Sequence, residues 1–167
     1  MADQEKAVIV GVGGGLSASL ARLFTKEGMA VAVASRNPDR LDGLCKETGA
    51  KAYGCDASDP ASVDSLFAAV DSDMGAPDIV VYNASNRARG PVEELDPEAV
   101  RTAIMISCFG GFLVSQAAAQ RMIPQGHGTI LLTGASASVK GYPNSSSFAM
   151  GKFGLRGLAQ SLARELQ

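Results

Sequence analysis

The chain has 167 residues, 46% of them hydrophobic and 19% charged, with a formal net charge of −2. That length and apolar content suit one globular domain and exclude a disordered polar chain, while the slight acidity, with no run of like charges, argues against nucleic acid as a partner. No apolar run approaches the roughly 20 residues of a bilayer span, and the polar stretch from Met1 to Lys6 lacks signal character, so the expected location is the cytoplasm, away from membranes.

Ala7-Val8-Ile9-Val10 predicts a buried strand that feeds into Gly11-Val12-Gly13-Gly14-Gly15, after which Leu16, Leu20, Leu23 and Phe24 follow at helical spacing. A second strand is expected over residues 30–34, then a turn with Pro38 and a helix over residues 39–47. Residues 51–55 form the next short strand; Ser58 or Asp59 then caps a helix running to about Val70, with Val63, Leu66, Phe67 and Val70 on one face. A fourth strand covers residues 78–82. Beyond a polar loop, Pro97 opens one long or two abutting helical segments that end near Met122. A fifth strand spans residues 129–133, and residues 147–167 return to helical spacing through Phe148, Leu155, Leu158, Leu162 and Leu166. Apolar strands alternating with amphipathic helices imply βαβ crossovers. The expected fold is α/β: a doubly wound, Rossmann-type parallel sheet between two helical layers, in a single domain without linker or repeat.

In such a sheet the ligand crevice lies at the carboxyl ends of the strands, where the first glycine turn sits. Glycines let the backbone turn tightly against a ligand, and the free amides of the following helix attract a pyrophosphate. A dinucleotide site is the reading this supports; a purely structural turn is the alternative. About 20 residues beyond the glycines, where an acidic residue would accept the ribose hydroxyls, the chain carries Ser35 and then Arg36. A guanidinium without the carboxylate favours a 2′-phosphate, hence NADP(H) over NAD(H). Arg36 as a solvated loop charge is the competing reading, and Arg40 stands in the same position.

These features resemble the short-chain dehydrogenase/reductase family over essentially the whole sequence. The family's TGxxxGxG motif appears as Val10-Gly11-Val12-Gly13-Gly14-Gly15-Leu16-Ser17, with Val10 for the threonine and Ser17 for the third glycine. The residues that contact the adenine correspond to Asp56 and Ala57, and the NNAG motif to Tyr82-Asn83-Ala84-Ser85. The resemblance implies a cofactor site of Gly11, Gly13, Gly14, Gly15, Leu16, Ser35, Arg36, Asp56, Ala57, Asn83 and Ala84, with Lys152 on the nicotinamide ribose. It also implies hydride transfer between the cofactor and a small carbonyl or alcohol substrate. The family's Tyr-x-x-x-Lys pair, however, reads Phe148-Ala149-Met150-Gly151-Lys152. A phenyl ring has no proton to exchange. The substrate-orienting serine falls on Ala135, with Ser136 as a neighbouring substitute, and the supporting asparagine aligns with Ser107.

Three readings follow from these substitutions. A divergent reductase would take its proton from water, Ser136 or Tyr142; a pseudoenzyme would bind NADP(H) as a regulatory or scaffolding module; a fragment would do neither. The sequence stops where family chains continue into further strands and a closing loop, which would leave residues 129–133 as a sheet edge. Gly151, Gly154 and Gly157 at three-residue spacing suggest close approach of another helix, and the resemblance implies a homodimer or homotetramer through the fifth and sixth helices; packing on the chain's own sheet is the alternative. Cys45, Cys55 and Cys108 lie far apart, without CxxC spacing, and His127 is the single histidine, so no metal site is expected.

Overall fold

The computed structural model describes residues 4–167. Five parallel strands, β1 (Lys6–Val10), β2 (Ala30–Ser35), β3 (Lys51–Gly54), β4 (Ile79–Tyr82) and β5 (Thr129–Leu132), form one sheet in the order β3-β2-β1-β4-β5. The helices are α1 (Leu16–Lys26), α2 (Asp42–Thr48), α3 (Pro60–Met74), α4 (Pro97–Ile104), α5 (Gly110–Gln125) and α6 (Ser146–Glu165). The order reverses at β1, which pairs with β2 on one side and β4 on the other, so the glycine turn after β1 sits at the switch point.

Because successive side chains of a strand point to opposite faces, each apolar strand builds two cores. Val8, Val10, Ala32, Ala34, Val80 and Tyr82 pack with Leu66, Phe67 and Val70 of α3 and Leu113 and Val114 of α5. Ala7, Ile9, Val31, Val33 and Val81 face the other way, against Ala21 and Phe24 of α1, Leu41 before α2 and Leu44 within it. The expected three-layer, doubly wound architecture is present, and β5 is a sheet edge with Leu131 44% exposed.

Local signals set the helix starts. Asp59, not Ser58, caps α3 by accepting from the Ala61 amide, with Pro60 in the first turn. Asp96 caps α4 in the same way through the Glu98 and Ala99 amides, ahead of Pro97. The stretch expected as a helix from Asp39 begins instead as a 3₁₀ turn, Pro38–Leu41, before α2. α3 continues to Met74, four residues past the expected end, because nothing in Asp71-Ser72-Asp73 stops a helix before Gly75.

α4 and α5 form one continuous helix joined by a π turn, Met105–Phe109. By length and composition this 29-residue helix could cross a bilayer, contrary to the expectation from apolar runs, and half of its most apolar window is buried. Ser107, Ser115 and Gln116 break its apolar run in the sequence, although charged residues are few across it. The Tyr82 hydroxyl donates to the Ile106 carbonyl inside the π turn, and Gly110 leaves the room that this requires.

α6 docks on that turn. A Cβ on Gly151 would lie 2.7 Å from Ser107 Cβ, and one on Gly154 would lie 2.6 Å from Cys108 Sγ. Gly151 and Gly154 therefore serve a contact within the chain, against the π turn and not the sheet, while Gly157 faces open space. Gly151→Ala should lower the unfolding free energy by about 1–3 kcal/mol through overpacking. Gly157→Ala should raise it by about 0.5–1 kcal/mol through helix propensity. Urea unfolding of the two variants beside the parent chain checks both signs.

Candidate active site

The site begins where β1 ends. The Gly11 and Val12 amides both donate to the Ala34 carbonyl at 3.0 Å, while Gly11 takes φ +86°. A Cβ there would lie 2.3 Å from the Ala84 amide nitrogen, so only glycine lets the chain leave β1 this close to the exit of β4. Ser17, at the family's third-glycine position, is buried and bridges the two exits: its hydroxyl donates to the Gly11 carbonyl at 3.2 Å and accepts from Asn83 Nδ2 at 2.7 Å.

Gly13, Gly14 and Gly15 have no atom within 4 Å of where a Cβ would stand, so their backbone borders open space. Gly15 is the N-cap of α1 and Leu16 its first residue; no side chain caps that end and no acid lies in the first turn. Uncapped amides at the positive end of a helix dipole, behind a backbone unshielded by side chains, fit an anionic pyrophosphate.

A cleft of about 890 Å³ opens from this turn, lined by Gly11, Gly13 and Gly14, by Ser35, Arg36 and Arg40 beyond β2, by Asp56 and Ala57 beyond β3, and by Asn83 and Ala84 beyond β4. The sequence-predicted cofactor residues thus gather at one end of the sheet; Gly15 and Leu16 directly follow the lining glycines, and Lys152 lies outside the lining. Ser35 Oγ donates to the Asn37 carbonyl at 2.9 Å, which shapes the turn that carries Arg36. Arg22 also lines the cleft, but its guanidinium is held by Glu47 at 2.7 and 2.8 Å. Asp56 Oδ1 accepts from the Ser58 hydroxyl and amide; these bonds, aided by the Arg36 charge, hold its carboxyl below the usual range. Cys55 borders the same cleft, and burial pushes its thiol up to about 11, which keeps it protonated and unreactive.

Beyond β4 and β5 lie the positions implied for catalysis. Lys152 is 3% exposed, and its ammonium donates to the Thr133 carbonyl at 2.7 Å. Burial lowers its pKa, and the charge of Arg87 pushes the same way. The Phe148 ring has the Arg87 guanidinium 4.3 Å from its centre and Lys152 Nζ at 5.9 Å. Ser107 is fully buried; its hydroxyl accepts from the Asn86 amide and donates to the Asn86 carbonyl, both at 3.0 Å, so it is committed to the backbone. Ser136 is exposed at the start of a 3₁₀ turn whose Ser138 accepts from the Ala135 amide. Tyr142 is exposed beneath Lys140, whose Nζ is 4.9 Å from the ring centre.

Sequence reasoning missed Ser147. It is fully buried, and its hydroxyl accepts from the Ala88 amide at 3.0 Å and donates to the Ala88 carbonyl at 2.7 Å. A serine in the first turn of a helix carries no signal of such a distant partner. Arg87, in the polar loop beyond β4, is itself exposed, but the residues on either side of it, Asn86 and Ala88, are each clamped by a buried serine.

The chain was compared with known proteins. A family model described as short chain dehydrogenase matches residues 5–167. D-threitol dehydrogenase of Mycolicibacterium smegmatis is 28% identical over 168 residues, covering 98% of this chain and 65% of that protein. Short chain aldehyde dehydrogenase 1 of Euphorbia lathyris is 32% identical over 171 residues, covering 96% of this chain and 58% of that one. The chain thus spans less than two thirds of the length of either relative. Among solved structures, a variant of actinorhodin polyketide ketoreductase with NADPH superposes with a TM-score of 0.94 at 27% identity, over 98% of this chain and 66% of that one. With the family match covering nearly every residue and the fold agreeing throughout, this chain belongs to the short-chain dehydrogenase family.

Proposed function

We propose that the chain is an NADP(H)-binding oxidoreductase domain in which the usual proton donor has been replaced. The observation that carries the cofactor reading is the end of β2: Ser35 stands where a carboxylate would select an unphosphorylated ribose, and Arg36 and Arg40 line the cleft without a carboxylate bonded to either among the described residues. The open backbone of Gly13 to Gly15 and the uncapped start of α1 would hold the pyrophosphate, Asp56 and Ala57 the adenine, and Asn83, Ala84 and Lys152 the nicotinamide half. NADP(H), when bound, supplies the hydride; a carbonyl or alcohol is the substrate class.

The chain's own residues then decide how far catalysis goes. Phe148 offers neither donor nor acceptor, and the Ser107 hydroxyl is occupied by Asn86. Carbonyl reduction needs a proton at the substrate oxygen as well as a hydride, so slow chemistry follows from this site. The same substitution favours a second reading, a module that binds NADP(H) without turnover.

Fluorescence titration should give saturable binding with NADPH preferred over NADH. Arg36→Ala should weaken NADPH about tenfold, the loss of one charge-assisted hydrogen bond, and leave NADH nearly unchanged; equal affinities in the parent chain would remove the 2′-phosphate assignment. The parent chain should show no NADPH consumption with ketones or aldehydes above a control without substrate. Phe148→Tyr should bring the substrate-dependent rate above that control, since a positioned general acid is usually worth about a hundredfold or more, and a rate still at background would favour the binding module.

A further inference from the structure

We propose that Arg87 is the anchor of an anion subsite, and that the substrate of this domain is a small oxo or hydroxy acid whose carboxylate docks on the Arg87 guanidinium beside the Phe148 ring. The substrate half of this proposal rests on the oxidoreductase reading above; the anion subsite does not.

The first argument is placement. Loops of this length are usually mobile, yet residues 86–88 are fixed on both sides of Arg87 by two fully buried serine hydroxyls, each bonded to both the amide and the carbonyl of one residue. A further bond runs from the Gly90 amide to the Asn144 carbonyl at 3.3 Å. Ser107 comes from the π turn and Ser147 from the first turn of α6, so the loop is tied to two separate elements. The guanidinium itself is seated on the Phe148 face at 4.3 Å, a cation–π contact that orients it without using any of its N–H donors.

The second argument is charge. Lys152 and Arg87 lie close enough for the arginine to depress the lysine's proton affinity, yet among the described residues no carboxylate pairs with either. Arg22, Arg101 and Arg121, by contrast, each hold an acid at 2.7–2.8 Å. Lys152 is a buried ammonium satisfied by a single carbonyl, and buried charges are ordinarily paired, while Arg87 is exposed and its guanidinium is open to a ligand from solution. A carboxylate bound to Arg87 would supply the missing negative charge. Arginine presents a planar fork that matches a carboxylate with two parallel hydrogen bonds, and Lys152, 5.9 Å from the centre of the same ring, adds its positive field. The loop leaves the cleft at Asn83, Ala84 and Ser85, so the subsite adjoins the end of the cleft assigned to the nicotinamide.

The test is an arginine Nε–H correlation spectrum of the ¹⁵N-labelled chain at low ionic strength, titrated with pyruvate and, separately, with acetone, its neutral counterpart. The Arg87 signal is identified twice: it is absent in Arg87→Lys, and it moves in Phe148→Leu, which removes the ring current. Pyruvate should shift this signal saturably at millimolar concentration, with Arg89 and Arg156 as internal controls, and acetone should not. Phe148→Leu should weaken the pyruvate response several-fold, and Arg87→Met should weaken pyruvate binding at least tenfold by calorimetry. An Arg87 signal that moves no more than the control arginines, or equally with acetone, overturns the proposal. NADPH titration of the same samples separates the two readings. Cofactor binding without a pyruvate response removes the subsite alone; a pyruvate response without cofactor binding retains the anion site and removes its assignment to a redox substrate.

Discussion

The approach of Gly11 to Ala84 is the constraint on which the site depends. Two parallel strands, β1 and β4, must release their chains in different directions at the same end of the sheet, and they do so with backbone in contact where any side chain would collide. Ser17 and Asn83 then join the two exits by hydrogen bonds, so the glycine turn cannot move without moving the β4 exit. The cleft between them is the consequence. It is rigid because its two walls are the ends of hydrogen-bonded neighbours, and it is open because Gly13 to Gly15 place no side chains across it.

A second set of contacts governs the substrate side. The π turn widens the long helix enough to present Ser107 to the loop and to α6, and Tyr82, where the family motif has asparagine, donates to that turn from beneath. Gly151 and Gly154 let α6 close against it. Two positions that the resemblance aligned with catalytic residues thus make structural contacts: Ser107, aligned with the asparagine, clamps the loop, and the Phe148 ring, aligned with the tyrosine, supports a guanidinium.

Most of the architecture was legible in the linear pattern. β1 is apolar on both faces because both faces are buried, and short runs such as Ala7 to Val10 separated by amphipathic stretches admit few folds other than a covered parallel sheet. Asp59-Pro60 and Asp96-Pro97 announced their helices through a cap and a preset first turn. Boundaries were less legible: the 3₁₀ turn at Pro38–Leu41 and the π turn at Met105–Phe109 depend on what packs against them, and neither has a periodicity of its own. The glycine row of α6 left its contact open for the same reason, since small residues at regular spacing state that something approaches but not what.

The sequence by itself determined the family, the sheet and the glycine turn that opens the cleft at its end, because these follow from residue identity at fixed spacing along single elements. Tertiary structure decided which charges are compensated. Arg22 and Arg36 look alike as letters, but one is closed by Glu47, 25 residues away, while the other borders the cleft. Arg87 lies exposed in a polar loop, but Ser107 and Ser147, 21 and 59 residues from their loop partners, fix the backbone on either side of it. Such pairings are set by the three-dimensional crossing of elements, and electrostatic consequence follows distance in space rather than along the chain.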